Sequence, residues 1–322
     1  MPKLNMVDAI NLALKQEMKR DKKVVILGED VGKDGGVFRV TEGLHKLYKN
    51  RVFDTPLAES GIVGTSLGMA TTGMKPVCEI QFEGFIMPAF DQIVNHVSRI
   101  RNRTRGTYTA PMVIRCPIGG GIKALEHHSD SPEAYLVHTP GIKVVIPSTP
   151  YDAKGLMISA IRDPDPVIFF EPKRVYRAIK QEVPTKSYAI PIGKANVIQE
   201  GTDITVISYG ASVRECQQAI ALLQDISVEL IDLRTVSPLD VDTIVASVKK
   251  TGRAVVVHEA QKTCGLGAEL SAIIQENCIL QLLAPVERVT GYDIIVPLPR
   301  LEHYYIPDEH KILEAITKVV SF

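Results

Sequence analysis

Apolar residues along this chain follow two alternating periods. Past Asn5, the positions Ile10, Ala13, Leu14 and Met18 mark the inner face of an amphipathic helix, with Asn5 as its cap and Asp8 three residues on. An unbroken apolar run follows from Val24 to Leu27 and ends in the turn Gly28-Glu29-Asp30, as a strand buried on both faces would. Further runs at 76–82, 111–115, 143–147 and 166–170 predict strands, with helices over 86–101 and 151–162 between them. From Val175 to Ile190 the sequence turns polar and irregular and reads as a linker. A second alternating unit begins near Ala195, with strands predicted over 204–209, 228–233, 254–258 and 286–289 and helices over 213–223, 238–249, 268–276 and 309–319. The pattern predicts an α/β protein of two domains, 1–185 and 190–322, each a parallel sheet flanked by helices.

One segment breaks the ordinary mixture of charges. Between Thr55 and Met74 the only charged residue is Glu59, followed by Gly61, Gly64, Gly68 and Ala70 at helix-compatible spacings. The small residues predict a helix packed closely against something. The carboxylate would stand at the positive end of that helix and largely out of water. Such a glutamate either satisfies free N–H groups of the first turn or does chemistry.

Composition narrows the field. At 322 residues, with 45% apolar and 23% charged side chains, the chain is an ordinary globular protein long enough for two cores. Lys+Arg and Asp+Glu balance at 37 each, so no net field points to nucleic acid or to an anionic membrane. No apolar run approaches the roughly 20 residues needed to span a bilayer. The five cysteines have no CxxC spacing, and the first residues resemble neither a signal nor a transit peptide; a cytoplasmic setting is the expectation.

Open parallel sheets bind ligands beyond the carboxyl ends of their strands. Glu29, Gln81, Phe82 and His128 fall there, and Glu59 follows the short apolar segment 52–57. Gly119-Gly120-Gly121 does not match GxGxxG and reads most simply as a mobile loop. No P-loop or GxSxG pattern is present, and the adjacent His127 and His128 would point different ways in a regular element.

The segments GEDVGKDGGVFRVTEGL, RVFDTPLAESGIVGTSLGMA, QFEGFIMPAFDQIVN, HHSDSPEAYLVHTPGIKVVIPSTPYDAKGL and RDPDPVIFFEPK closely resemble the β subunit of thiamine-dependent 2-oxo acid dehydrogenases. The second half continues the match through ELIDLRTVSPLDVDTI, KTGRAVVVHEA and GYDIIVPLP. The resemblance implies a thiamine-pyrimidine-binding domain followed by a transketolase-C-like domain. It implies that Glu59 exchanges a proton with the aminopyrimidine ring of thiamine diphosphate, that Phe85 stacks on that ring, and that Leu57 and Gln81 line its pocket. Glu29 would buttress the pocket, and His128 would stand near the reacting carbon. A structural potassium site would be formed by Met112, Ala160, Ile161, Asp163 and Asp165, with Asp165 where relatives often carry Asn. Glu126-His127 likewise replaces a commoner Leu-Tyr or Ala-Gln, and His258 fits a structural or interface position.

Thiamine enzymes hold the diphosphate through Mg²⁺ bound by GDG and Asn-Asn segments, and neither occurs here. By the resemblance, an α subunit supplies them in an α2β2 heterotetramer, with Gly61, Gly64 and Gly68 at a packing surface. The same likeness implies oxidative decarboxylation of a 2-oxo acid and transfer of the acyl group to the lipoyl domain of a dihydrolipoyl acyltransferase. The C-terminal domain would serve dimerisation and docking to the acyltransferase core. SPEA and IFFEPKRVYR lean toward branched-chain substrates; pyruvate and acetoin are the alternatives, with a transketolase-like enzyme or a non-catalytic scaffold further off.

Overall fold

Strands, wholly buried at the sheet centres, alternate with helices through the computed structural model, which describes residues 1–322. In chain order the strands are β1 (Lys3–Leu4), β2 (Val24–Gly28), β3 (Val52–Asp54), β4 (Lys75–Glu79), β5 (Val113–Ile118), β6 (Lys143–Val145), β7 (Val167–Pro172) and β8 (Gln181–Glu182). There follow β9 (Asn196–Gln199), β10 (Ile204–Ser208), β11 (Val228–Asp232), β12 (Thr235–Ser237), β13 (Ala254–Gln261) and β14 (Glu287–Gly291). Seven of them form one sheet in the order β12-β6-β7-β5-β4-β2-β3, and five form a second in the order β14-β13-β10-β11-β9. Every pairing in the large sheet is parallel except that of β12 with β6, and in the small one only the edge strand β9 runs antiparallel. No helix is long and apolar enough to cross a membrane.

Local signals set many of the boundaries. The Asn5 side chain accepts the Asp8 N–H at 2.9 Å, as the cap pattern predicts. Thr149 caps the helix Pro150–Arg162 in the same way, with proline in its first turn. That helix packs on Met6–Arg20, and Arg162 Nη2 reaches the buried Glu17 carboxylate at 2.6 Å.

Three expectations need correction. The helix predicted over 86–101 is broken into a 3₁₀ segment (Glu83–Ala89), a π-helical run (Gln92–Val97) and a short α-turn (Ile100–Arg103). Pro88 has no N–H to give and cannot carry a regular α-helix through that point. The linker is tied down rather than loose: β8 pairs with β1, and the Lys154 ammonium donates to the carbonyls of Pro184 and Lys186. Finally, β12 follows the second unit's strand β11 in sequence, yet it closes the edge of the first sheet.

Beneath the carboxyl edge of the large sheet lies a buried charge cluster. Arg115 on β5 grips Glu171 on β7 through Nε (2.7 Å) and Nη2 (2.8 Å), and its Nη1 reaches Glu79 on β4. Tyr176 donates its hydroxyl to Glu171 at 2.6 Å. One guanidinium serves two carboxylates. Burial, only partly offset by Arg115, pushes Glu79 above the usual carboxylate range, and the charge of Glu171 adds to it. In the second sheet, His258 on β13 is fully buried and its Nε2 accepts the Gly267 N–H at 3.1 Å, in the first turn of the helix Leu266–Cys278. Burial, with Arg288 nearby, lowers its pKa to about 4, so the ring stays neutral and able to accept.

Two consequences can be measured. Arg115→Leu leaves two carboxylates buried without a cation and should cost about 3–5 kcal/mol in denaturant unfolding. His258 has a folded pKa below its unfolded one, so its contribution is full above about pH 6.5 and is lost as pH falls through about 4. The loss should approach about 3 kcal/mol, and unfolding midpoints of His258→Gln should lack that part of the pH dependence.

Candidate active site

The polar residues predicted at strand ends do meet at one edge of the large sheet. Glu29 leaves β2; Asp54 ends β3 and leads to Glu59; Gln81, Phe82 and Phe85 follow β4; the glycine triplet and His128 follow β5; Lys173 follows β7. The loop after β2 is anchored on its neighbour, because the Asp54 carboxylate accepts the N–H groups of Gly32 (2.6 Å) and Lys33 (3.2 Å). Gln81 Nε2 lies 3.3 Å from Asp30 Oδ2 and so ties this loop to β4.

Glu59 is the first residue of the helix Glu59–Thr71, whose cap residue Ala58 offers no side-chain hydrogen bond. The residue as a whole is only 8% exposed, and no side chain of the protein pairs with its carboxylate, whose oxygens still reach solvent. Glu29, equally buried, is raised above the usual carboxylate range, first by burial and then by the negative charge of Glu59 beside it. Ser60 Oγ bonds the Pro88 carbonyl, which fixes the head of this helix against the segment Glu83–Ala89.

That segment brings the aromatic wall. Phe82 and Phe85 meet edge to face with ring centroids 6.0 Å apart, and the His128 ring lies 4.3 Å from the first and 5.2 Å from the second. His128 Nδ1 is 2.9 Å from the Glu126 carbonyl. A carbonyl only accepts, so Nδ1 carries the proton and Nε2 of the neutral ring is left as the free acceptor. Under the wall, Lys173 pairs with Glu83 at 2.5 Å with both side chains fully buried, and its ammonium lies 5.5 Å from the Phe82 ring centre. Burial nonetheless lifts the Glu83 carboxyl to about 8. Leu57 does not join the group: it is 80% exposed, and this chain alone does not enclose it.

Residues 2–179 match the family described as transketolase, pyrimidine binding domain, and residues 193–312 the transketolase C-terminal domain. The chain is 55% identical over 321 residues to the pyruvate dehydrogenase E1 component subunit beta of Acholeplasma laidlawii, covering 99% of this chain and 98% of that one. It is 53% identical over 325 residues to the protein of the same name from Staphylococcus epidermidis, with both chains covered in full. Among solved structures, a split-gene transketolase described as an inactive β4 tetramer superposes with a TM-score of 0.82 at 22% identity, covering 99% of each chain.

The chain belongs to the β subunits of thiamine diphosphate-dependent 2-oxo acid dehydrogenases.

The residues expected at a potassium site lie away from this edge, where β5 and β7 begin. Both oxygens of Asp163 are 2.7 Å from Lys143 Nζ, and Asp165 Oδ1 is 2.6 Å from Arg101 Nε. The Met112 and Ala160 carbonyls accept N–H groups of Val167 (3.0 Å) and Asp163 (3.3 Å), which leaves each one lone pair. The carboxylates there are already neutralised by Lys143 and Arg101, and no group of three His, Cys, Asp or Glu side chains forms a metal site anywhere in the chain.

Sequence reasoning missed the Lys173–Glu83 pair and Gly84. A Cβ at Gly84 would come 2.5 Å from the His127 carbonyl oxygen and 2.6 Å from its Cβ, so only glycine lets the histidine loop lie down on the β4 segment. The Gly84 N–H also donates to that carbonyl at 3.2 Å. The signal was present as a glycine wedged between Phe82, Glu83 and Phe85, but it carries no meaning without the loop. Gly84→Ala should therefore keep the fold by circular dichroism while lowering turnover of the assembled enzyme by ~10²-fold, the scale of an ångström's displacement of a positioned group.

Proposed function

We propose that this chain forms, with a separate α subunit, a thiamine diphosphate-dependent dehydrogenase that decarboxylates pyruvate and passes the acetyl group to a lipoyl domain. One observation carries this reading: Glu59 is a largely buried residue at a helix head whose carboxylate has no partner within the chain and still opens to solvent beside Glu29. A ring nitrogen of the cofactor's aminopyrimidine would complete it.

Thiamine diphosphate, when bound, supplies the nucleophilic carbon and the electron sink for loss of carbon dioxide. The chain's own groups then have distinct tasks. Glu59 exchanges a proton with the ring nitrogen, helped by the positive end of its helix when it is ionised. Glu29 crowds it with a second carboxyl, raised above the usual carboxylate range by burial and by the charge of Glu59, and Gln81 fixes the loop from which Glu29 springs. Phe85, backed by Phe82, offers a flat apolar face to the pyrimidine. His128, with Nδ1 held by the Glu126 carbonyl, keeps Nε2 free to take or give a proton during decarboxylation and acyl transfer.

The missing half of the site belongs to the α subunit in this reading. GDG and Asn-Asn are absent from the chain, so the Mg²⁺ ligands come from outside. The helix that begins at Glu59 also has a bare side: a Cβ at Gly68 would meet nothing, and one at Gly61 would touch only Ala58. Small residues there let another chain approach closely, and exposed Leu57 stands beside that opening. An α2β2 assembly fits these features. Docking to the acyltransferase core through the C-terminal domain, and a carbonyl-lined potassium site at the opposite corner, belong to the same proposal.

Relatives at 53–55% identity over essentially the whole chain bear the name of the pyruvate enzyme. That support outweighs the branched-chain lean drawn from SPEA and IFFEPKRVYR, so pyruvate is the substrate proposed.

The complex of this chain with its α subunit, supplied with thiamine diphosphate, Mg²⁺ and a lipoyl domain, tests the proposal. Glu59→Gln should lower pyruvate turnover by ~10²–10⁴-fold without disturbing assembly measured by analytical ultracentrifugation. Wild-type turnover in that variant would remove Glu59 from the mechanism, and a β chain that decarboxylates alone would remove the α subunit.

A further inference from the structure

The glycine triplet after β5 is gripped by the other domain. Gly120 donates its N–H to Glu259 Oε1, Gly121 donates to Glu302 Oε1 at 2.8 Å, and Lys123 donates to Glu302 Oε2 at 3.0 Å. Glu259 stands on β13 and Glu302 opens the short helix Glu302–Tyr305. Arg174, just past β7, links Glu259 (3.3 Å) and Glu215 (3.4 Å) into the same seam. The carboxylates explain the glycines. A Cβ at Gly119 would sit 3.0 Å from Glu259 Oε1, and one at Gly120 would sit 2.9 Å from Glu302 Oε1.

Beyond the triplet the chain runs to His128 through an exposed, irregular stretch in which Lys123 and His127 hold φ of 58° and 64°. Non-glycine residues adopt that conformation only when their surroundings impose it. Within this stretch the clamp at Gly121 and Lys123 ties the backbone to the second domain, and the Gly84 N–H ties it to the first through the His127 carbonyl, beside the packing of the His128 ring on Phe82 and Phe85.

We infer that Glu302, with Glu259, is a positioning residue for His128. Its buried carboxylate takes two backbone N–H groups in charge-assisted hydrogen bonds, which are about twice as strong as neutral ones. It thereby sets the loop that lays the imidazole over Phe82 and Phe85. Catalytic geometry in the first domain then depends on how the second is docked. The inference rests on the role given to His128 above.

The assembled α–β complex carrying Glu302→Leu, Glu302→Gln, His128→Ala and the double variant Glu302→Leu/His128→Ala tests it. With no cofactor present, amide hydrogen exchange across 121–128 should quicken in Glu302→Leu while β5 and β13 keep their protection. Glu302→Gln, which retains one acceptor oxygen, should fall between. With cofactor, Glu302→Leu should lower turnover by ~10–10²-fold at a nearly unchanged KM. It should add nothing once His128 is already alanine, because residues acting through one another are not additive. Unchanged exchange across 121–128 overturns the clamp, and an equal loss with and without His128 overturns its action through that ring. Full turnover in His128→Ala, by contrast, strikes the underlying assignment of His128 and leaves the exchange result to judge the clamp. Glu302→Asp, one methylene too short to reach both amides, serves the same comparisons if the leucine variant does not fold.

Discussion

Arg115 is the charge on which the carboxyl edge of the large sheet depends. Adjacent parallel strands bring Glu79, Arg115 and Glu171 to neighbouring positions, and the site needs further carboxylates, Glu29 and Glu59, just above them. Without a buried cation spanning three strands, that concentration of acid would repel itself and draw in water. With it, Glu79 and Glu171 are held inside while Glu29 and Glu59 remain free of partners. The foundation is satisfied, and the layer above it is left with capacity for a ligand.

The same economy governs the histidine loop. Its backbone is held at one end by carboxylates from the second domain and passes over Gly84 at the other, so neither domain alone defines where His128 sits. The crossing of β12 onto the first sheet works in the same direction, because it makes the second domain's chain part of the first domain's edge. One hydrophobic cluster also runs through both, from Ile118 and Ile146 to Ile207 and Tyr209, and domains joined by a shared apolar core are poorly suited to independent motion. A rigid junction suits a site whose parts must be set to within fractions of an ångström.

Glu59 shows how an incomplete subunit looks from inside. A carboxylate on a largely buried residue ordinarily finds a donor within its own chain. Here it finds only Glu29, while glycines on the same helix face open space and Leu57 lies in solvent. Those features make sense together if a cofactor and a second polypeptide supply what is missing.

Much of this was written in the sequence. Period and cap residues determined the strands Val24–Gly28 and Ile204–Ser208 and the helices begun by Asn5 and Thr149, because each rests on contacts within a few residues. The isolation of Glu59 in an apolar stretch also announced itself, since an unpaired acid there is costly wherever the chain goes. The role of the glycine triplet did not, because the carboxylates that explain it stand 139 and 181 residues further along. Nor did the break at Pro88 into 3₁₀ and π turns, or the migration of β12 to the other domain's sheet, since helical periodicity and short apolar runs do not say which neighbour they will meet. Sequence sets what is decided by adjacent residues; which distant charges converge, and which stay unpaired, is decided only when the chain closes on itself.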